Sequence, residues 1–292
     1  MKIDDNSTLA SAGPYIHTHA ADGLCLSAEA ALLRRDVVEA LYKTGGGHYG
    51  GCLSVMDILL VLYRRFLRVI PSQPRHAQRD RLILSKGHAG LALYALLRRF
   101  CFFEAPLSGY ASFESILEGH PDMTRVPGID FSSGSLGQGL SVGIGMGLAL
   151  RATDQSVWVV LGDGECQEGQ VWEAAMLAAA CDLDNIHAIV DCNRFQEWGW
   201  APTVDEAHPT PVTQMAAKWK AFGWHVTECD GHNLLALEHA CNSARSHRGQ
   251  PSVVLAHTRK GMGVPMIEQE PWRFHCETVT ADEHASIMES LA

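Results

Sequence analysis

The segment VWVVLGDGECQEGQVWEAAMLAAACDLDNIHAIVDCN (157–193) decides the fold. An apolar run ends in GDG (162–164), an alanine-rich helical stretch follows, and a second apolar run ends in DCN (191–193). This order is typical of a strand–helix–strand unit, whose two parallel strands end at the same edge of a sheet. We therefore expect Asp163 and Asn193 to lie side by side in the crevice where such sheets bind ligands.

The polar groups at this edge suit a metal ion that bridges to a diphosphate. Asp163 and Asn193 offer hard oxygen ligands, and Mg²⁺ typically takes one or two carboxylates and completes its octahedron with water and phosphate oxygens. Gly162 and Gly164 let a phosphate approach the backbone. A helix that begins near Glu168 points its free N–H groups toward that phosphate. The segment therefore predicts a metal–diphosphate site.

Two other interpretations fit the segment less well. A nicotinamide-dinucleotide fingerprint needs a third glycine three residues after the second, where this chain has Gln167. A tight turn without function would explain an isolated GDG triplet. It would not explain an asparagine at the end of the following strand.

The motifs together resemble those of the transketolase family. GDG, 28 residues and then Asn is similar to the thiamine-diphosphate motif. Four more segments resemble family motifs, and the match covers about residues 30–275. These segments are GHYGGCLSVMDILLVLY (47–63), DRLILSKGHAGLALYALL (80–97), GHPD (119–122) and GSLGQGLSVGIGMGLA (134–149).

The resemblance implies roles for individual residues. His48 matches a histidine that contacts the carbonyl and hydroxyl end of the substrate, and His120 matches one that faces substrate and cofactor. Glu168 and Glu173 match acidic residues near the dimer interface, whereas His232 falls in no family motif and is predicted to be structural. The residues implied to bind thiamine diphosphate are His88, Gly134, Ser135, Leu136, Gly162, Gly164, Glu165 and Asn193. The ligands implied for Mg²⁺, or for Ca²⁺ or Mn²⁺ in its place, are Asp163, Asn193 and the carbonyl of Phe195.

One downstream element departs from the family pattern. It usually reads KGxGV and then Trp-His-Gly, whereas this chain has KGMGV (260–264) and PWRFHC (271–276). Arg273 directly follows the tryptophan, where the family has a histidine that contacts cofactor and donor substrate. We expect Arg273 to replace that histidine, with His275 as the alternative, and count both as candidate catalytic residues beside His48 and His120. Whichever residue replaces the histidine, the identity of the donor substrate stays undetermined, because the family histidine contacts it.

The resemblance also implies a reaction and a partner. Transketolases transfer a two-carbon ketol unit from a ketose to an aldehyde, and full-length enzymes continue into a pyrimidine-binding domain, which carries the activating glutamate, and a C-terminal domain. We therefore expect this chain to be the first subunit of a split transketolase, in a heterotetramer with two copies of each chain. The alternatives are a subunit of another thiamine-diphosphate enzyme, of the deoxyxylulose-phosphate synthase-like or 2-oxo acid type, and a non-catalytic scaffold subunit.

Composition excludes several classes of protein. With 23 basic and 33 acidic residues the net charge is −10, which argues against binding to nucleic acid or an acidic membrane surface. The longest apolar stretch, Leu140–Leu150, is too short to span a bilayer, and residues 1–25 do not resemble a signal peptide. The nine cysteines form no CxxC pair, as suits a reducing compartment. We expect a cytoplasmic protein.

Alternating strand and helix patterns predict a doubly wound parallel sheet flanked by helices, the thiamine-diphosphate-binding α/β fold. Residues 1–25 are predicted to be an irregular extension, residues 26–292 to form one domain, and residues 195–212 to form a long loop. Strands are predicted at 82–84, 157–161, 186–191, 224–228 and 253–257, and helices at 88–100, 138–152, 168–181, 211–222 and 233–246.

Two local patterns add detail to this prediction. Ser27 and Ser54 are each expected to cap a helix, because a hydroxyl at that position accepts a hydrogen bond from a free backbone N–H. Glycines 139, 143 and 147 repeat every four residues. The repeat predicts that their helix packs closely on a neighbouring element.

Overall fold

The structure, a computed structural model, describes residues 25–197 and 213–291. The predicted irregular extension at 1–25 lies outside the described residues except for Cys25. Most of the predicted loop at 195–212 lies outside them as well.

All five predicted strands are present and form one parallel sheet. Their bounds differ from the predicted ones by at most two residues. They are β1 (Arg81–Leu84), β2 (Val157–Gly162), β3 (Ile186–Cys192), β4 (His225–Asp230) and β5 (Ser252–His257). Their order in the sheet is β1-β2-β3-β5-β4, and every neighbouring pair is parallel.

The described residues also contain nine α-helices. They are α1 (Leu26–Lys43), α2 (Tyr49–Val61), α3 (Gly90–Arg99), α4 (Gln138–Ala149), α5 (Gly169–Ala180), α6 (Met215–Ala221), α7 (Leu234–Ser246), α8 (Pro265–Gln269) and α9 (Ala281–Ser290). Each of the five helix ranges predicted between the strands contains one of them. The prediction missed α8 and α9, although Thr280 and Glu283 form a capping box at the start of α9.

Helices cover both faces of the sheet, which confirms the predicted doubly wound fold. On β2, Val157, Val159 and Leu161 belong to the core shared with α4, α5 and α6. Trp158 and Val160 point the other way, into the core shared with α1, α2, α3 and α7. The strand is therefore apolar on both faces, as is typical of a parallel sheet buried between two helix layers.

Both predicted helix caps are wrong. α1 begins one residue before Ser27, and α2 begins at Tyr49, five residues before Ser54. Every residue of α2 is buried, so its sequence lacks the polar face from which the start of a helix can be located. Ser54 lies inside α2 and donates a hydrogen bond to Asp191 on β3 (2.6 Å).

Two predictions made from composition can be compared with the structure. All nine cysteines lie within the described residues, and none forms a disulfide. No helix in the described ranges is long and apolar enough to cross a membrane.

The three repeated glycines of α4 pack against the sheet, as their spacing predicts. A Cβ atom added to Gly143 would lie 2.6 Å from Val159 Cγ2, and one added to Gly147 would lie 2.7 Å from Ile186 Cδ1. Gly139 packs against Ser85 just as closely. The absence of side chains at these positions lets α4 lie directly on the strands.

Replacing Gly143 by alanine is expected to destabilise the chain by about 1–3 kcal/mol, because the new methyl group overpacks a filled core. The matched control is Gly145→Ala on the same helix, where an added Cβ meets nothing within 4 Å. That control should stabilise the chain by roughly 0.5–1 kcal/mol through helix propensity. Urea denaturation of both variants measures the difference, and equal stability of the two would contradict the packing argument.

Candidate active site

The carboxyl ends of β2 and β3 place Asp163 and Asn193 at the same edge of the sheet. In the register of the two strands Gly162 lies opposite Asp191, and the Asp163 N–H donates to the Asp191 carbonyl (3.3 Å). Asp163 and Asn193 are both buried, with 3% and 6% of their surface exposed. The two residues therefore follow directly on paired strands, as the segment predicts.

Asp163 carries a buried negative charge whose bonded partners among the described residues are backbone amides. Its carboxylate accepts the N–H of Arg194 (2.6 Å) and the N–H of Gly164 (2.8 Å). Burial raises the pKa of Asp163 to about 6, and the nearby carboxylate of Asp191 adds to the rise. Arg194 has a φ of 66°, a left-handed conformation that is uncommon for a residue other than glycine and that occurs often at functional sites. A cation beside Asp163 would stabilise its ionised form.

The turn after β3 keeps Asn193 and Phe195 close together. The Asn193 side-chain oxygen accepts the N–H of Phe195 (3.0 Å). Together with Asp163, this turn offers a carboxylate, a side-chain amide and backbone carbonyls, which are the oxygen ligands that Mg²⁺ and Ca²⁺ prefer. The donor set and the uncompensated carboxylate therefore fit a divalent cation.

Glu165 stabilises the neighbouring turn through three hydrogen bonds. Its carboxylate accepts the N–H groups of Gly137 (2.8 Å) and Gly162 (3.0 Å), as well as the hydroxyl of Ser85. Only 3% of Glu165 is exposed. Its carboxylate thus accepts three hydrogen bonds from the protein, and the cofactor contact that the resemblance implies for Glu165 stays a prediction.

The turn of Gly134, Ser135 and Leu136 lies at the surface just before α4. All three residues are exposed, Leu136 by 38%. Gly134 lies beside His120, whose ring carbons would be 3.6 Å from a Cβ added to the glycine. His120 is also exposed. The structure therefore groups these four predicted residues together at the surface.

Three of the predicted histidines form a cluster. The ring of His48 lies 5.3 Å from that of His88 and 5.4 Å from that of His275, and the last two rings are 5.6 Å apart. Burial, reinforced by nearby cationic groups, lowers the pKa of His48 and that of His275 to about 4, and it lowers the pKa of His88 well below its ordinary value. All three imidazoles are therefore neutral at pH 7.

Arg273 lies outside the histidine cluster. Its guanidinium is 2.6 Å from Glu283 and 3.3 Å from Glu270, and it lies over the ring of Phe274. The buried side chain of Phe274 separates Arg273 from His275 along a short helical turn. Of the two candidates, His275 and not Arg273 therefore lies beside His48 and His88, and which of them replaces the family histidine stays a prediction.

Two buried lysines that the sequence analysis did not single out border the same region. Lys86 is 1% exposed, and its Nζ lies 2.5 Å from Asp191 and 3.3 Å from the Gly51 carbonyl. Burial alone would raise the pKa of Asp191, but Lys86 and two hydroxyl donors hold it below the ordinary value. A lysine two residues past the end of an apolar strand, in the motif SKGH, was the available signal.

Lys260 is the second buried lysine. Its Nζ lies 2.9 Å from His275 Nδ1 and 3.0 Å from the carbonyl of Gln196. Burial, with the nearby Lys86 ammonium, lowers the pKa of Lys260 to about 8. At pH 7 it is therefore still mostly protonated and donates to His275.

A cavity of about 640 Å³ opens beside the β3 turn and extends along the carboxyl ends of β5 and β4. Asn193, Phe195 and Lys260 line it at the candidate metal site, and His232 lines it farther along. A pocket of this size is in the range that holds small ligands and cofactors.

Glu168 and Glu173 lie at the start of α5. Glu168 precedes the first residue of α5, and Glu173 lies in its first turns. Both side chains are exposed, so the residues are available for contact with another chain.

Comparison with known proteins identifies the family. The family model described as "Transketolase, thiamine diphosphate binding domain" matches residues 27–292. A transketolase from Leishmania mexicana has the same fold, with a TM-score of 0.82 at 24% identity over 92% of this chain and 41% of that one.

Two relatives are themselves named as subunits of transketolases. One, "6-deoxy-6-sulfo-D-fructose transketolase subunit SqwG" from Clostridium sp. (strain MSTE9), is 40% identical over 83% of this chain and 88% of that protein. The other, a subunit of the apulose-4-phosphate transketolase from Phocaeicola vulgatus, is 37% identical over 89% of this chain and 91% of that protein. The chain therefore belongs to the transketolase family, as a thiamine-diphosphate-binding subunit that corresponds to the N-terminal part of the longer enzymes.

Proposed function

We propose that this chain supplies the diphosphate-binding and metal-binding half of a two-chain transketolase, which transfers a two-carbon ketol unit from a ketose to an aldehyde. The observation that carries the proposal is the placement of Asp163 and Asn193 at neighbouring strand ends, with Lys260 joining the turn after β3 to the histidine cluster. When bound, thiamine diphosphate supplies the carbon nucleophile and the electron sink of the reaction.

The proposed metal is Mg²⁺, with Ca²⁺ or Mn²⁺ as substitutes. Asp163, Asn193 and the Phe195 carbonyl are its proposed protein ligands. The raised pKa of Asp163 supports this assignment, because a divalent cation would compensate the buried charge that the backbone amides alone do not neutralise. The diphosphate would complete the coordination, and Lys86 and Lys260 add positive charge to the same region.

The histidines have the proposed role of handling protons during addition and release of the ketol unit. A neutral imidazole can accept a proton at one nitrogen and donate from the other. Lys260 donates to Nδ1 of His275 (2.9 Å), so the remaining proton of that ring lies on Nε2. His48, His275 and the exposed His120 are the proposed catalytic residues, and His88 and the Gly134–Leu136 turn the proposed cofactor contacts.

The remaining expectations concern the assembly and the substrate. We propose that residues 26–292 act as one domain, and that a second chain supplies the pyrimidine-binding and C-terminal domains in a cytoplasmic heterotetramer. Exposed Glu168 and Glu173 would lie near the interface. The two relatives named as subunits act, by their names, on a sulfonated and a phosphorylated sugar, so an acidic ketose is the proposed donor class.

Replacing Asp163 by alanine should weaken the binding of thiamine diphosphate and Mg²⁺ by about 1.5–3 kcal/mol, because the only carboxylate in the proposed ligand set is lost. Calorimetric titration of the complete complex measures the change. Asp282→Ala removes an exposed carboxylate in the first turn of α9 and serves as the control. Equal affinity in parent and Asp163→Ala would refute the metal assignment.

His275→Ala is expected to lower kcat at saturating cofactor by roughly 10²-fold or more, in the range of lost proton-transfer catalysis. Arg273→Ala should leave kcat close to the parent value, since Arg273 pairs with surface glutamates. Steady-state kinetics of both variants with phosphorylated and sulfonated ketoses decides between them. The reverse result would restore Arg273 as the functional residue.

The chain purified alone should show no ketol transfer, because in the family the cofactor lies between a diphosphate-binding and a pyrimidine-binding domain. Addition of the second chain should restore activity and give an assembly with two copies of each. A coupled ketol-transfer assay and light scattering of the mixture measure the two outcomes. Robust turnover by the chain alone would exclude the two-chain enzyme.

A further inference from the structure

His232 lies at the far end of the cavity and is held at both ring nitrogens. Its Nδ1 is 2.7 Å from Asp57 Oδ2, and its Nε2 accepts the backbone N–H of Arg259 (2.8 Å). An amide N–H can only donate, so Nε2 is unprotonated and the proton lies on Nδ1, where it is donated to Asp57. Only 7% of the His232 side chain is exposed. The bond to Asp57 is partly buried, whereas the bond from Arg259 lies at the surface.

Asp57 fixes this arrangement to α2. Its carboxylate also binds Arg34 (2.6 Å), which donates in addition to the Leu53 carbonyl (3.2 Å). Burial alone would raise the pKa of Asp57, but His232 and Arg34 hold it below the ordinary value, so the carboxylate stays ionised. His232 is thus anchored by a charged acceptor on the same helix that begins after His48.

On the side opposite Asp57, His232 contacts the segment that contains Lys260. Arg259, which donates to His232, directly precedes Lys260 in the chain. The turn that presents His232 packs tightly on the same segment, since a Cβ added to Gly231 would lie 2.5 Å from Thr258 Cγ2. Beyond the lysine, the Gly261 N–H donates to the Gly50 carbonyl (3.2 Å). The backbone on both sides of Lys260 is therefore tied to α2, on one side through His232.

We propose that His232 is a positioning residue, which holds the backbone of Arg259 so that the Lys260 ammonium stays within hydrogen-bond distance of His275. The proposal rests on the proposed function of Lys260 and His275. It goes beyond the prediction that His232 is merely structural, because it assigns the histidine an effect on turnover through one named neighbour. Loss of the two hydrogen bonds should loosen the segment at Arg259 without unfolding the chain.

The first experiment measures the contact itself in this chain without its partner. His232→Leu removes both hydrogen bonds, His232→Gln can still donate to Asp57 and accept from Arg259, and His239→Leu changes an exposed histidine on α7 as the control. Site-resolved hydrogen exchange should show the Arg259 amide exchanging at least tenfold faster in His232→Leu. The other two variants should keep the parent rate. An unchanged rate in His232→Leu would overturn the proposal.

The second experiment tests the consequence in the assembled enzyme at saturating cofactor. His232→Leu should lower kcat about tenfold, as loss of a supporting residue typically does, with His232→Gln restoring most of it. In a Lys260→Ala background His232→Leu should lower kcat little further, because the ammonium group that His232 is proposed to position is absent. Multiplicative losses in the double variant would overturn the proposal. A parent complex without ketol transfer would instead refute the proposed function, while the exchange experiment would still decide whether His232 holds the segment.

Discussion

In the parallel register of β2 and β3, Gly162 lies opposite Asp191, and the residues that follow each strand are held one strand spacing apart. Side chains alternate between the two faces along a strand, so a slip of one residue would turn every side chain on it to the opposite face. Asp163 and Asn193 would then no longer face the same ligand. The apolar side chains of both strands fix this register, since those on each face fill a separate hydrophobic core. The core thereby determines the geometry of the site.

The two carboxylates at this edge, those of Asp163 and Asp191, differ in how their negative charge is compensated. Lys86 neutralises Asp191 deep in the structure, whereas Asp163 is bonded to backbone amides. The difference is visible in the two pKa values, because that of Asp191 is lowered and that of Asp163 is raised. Within residues 25–197 and 213–291 no cationic side chain is bonded to Asp163, so this edge is suited to bind a cation together with an anionic group. The thiamine diphosphate and the divalent cation proposed for this site would provide both.

Much of the fold could be predicted from the sequence because four of its five strands are largely apolar runs with clear ends. The start of α2 could not be predicted, since the helix is buried on all sides. Its polar side chains also form hydrogen bonds with residues far away in the sequence. Ser54, for example, binds Asp191, which lies 137 residues away in the chain. The proximity of Asp163 and Asn193, which belong to one motif, was predictable from spacing. Pairs that join different motifs, such as Lys86 with Asp191, depend on packing that the local sequence does not contain.

The local sequence also does not show which of Arg273 and His275 lies beside the other histidines. Adjacency to Trp272 favoured Arg273, but that guanidinium turns toward Glu283 at the start of α9, and Phe274 occupies the core between the two candidates. His275 is thereby directed to Lys260 and His48. Only the position of α9, a helix that the sequence analysis missed, explains why the arginine faces outward.

The most direct test of the central claim is anomalous diffraction from crystals of the two-chain complex grown with thiamine diphosphate and Mn²⁺. We predict one anomalous peak per site, coordinated by Asp163, Asn193 and the Phe195 carbonyl, with the diphosphate on its open side. A bound cofactor whose metal lies elsewhere, or a diphosphate bound away from the ends of β2 and β3, would contradict this assignment.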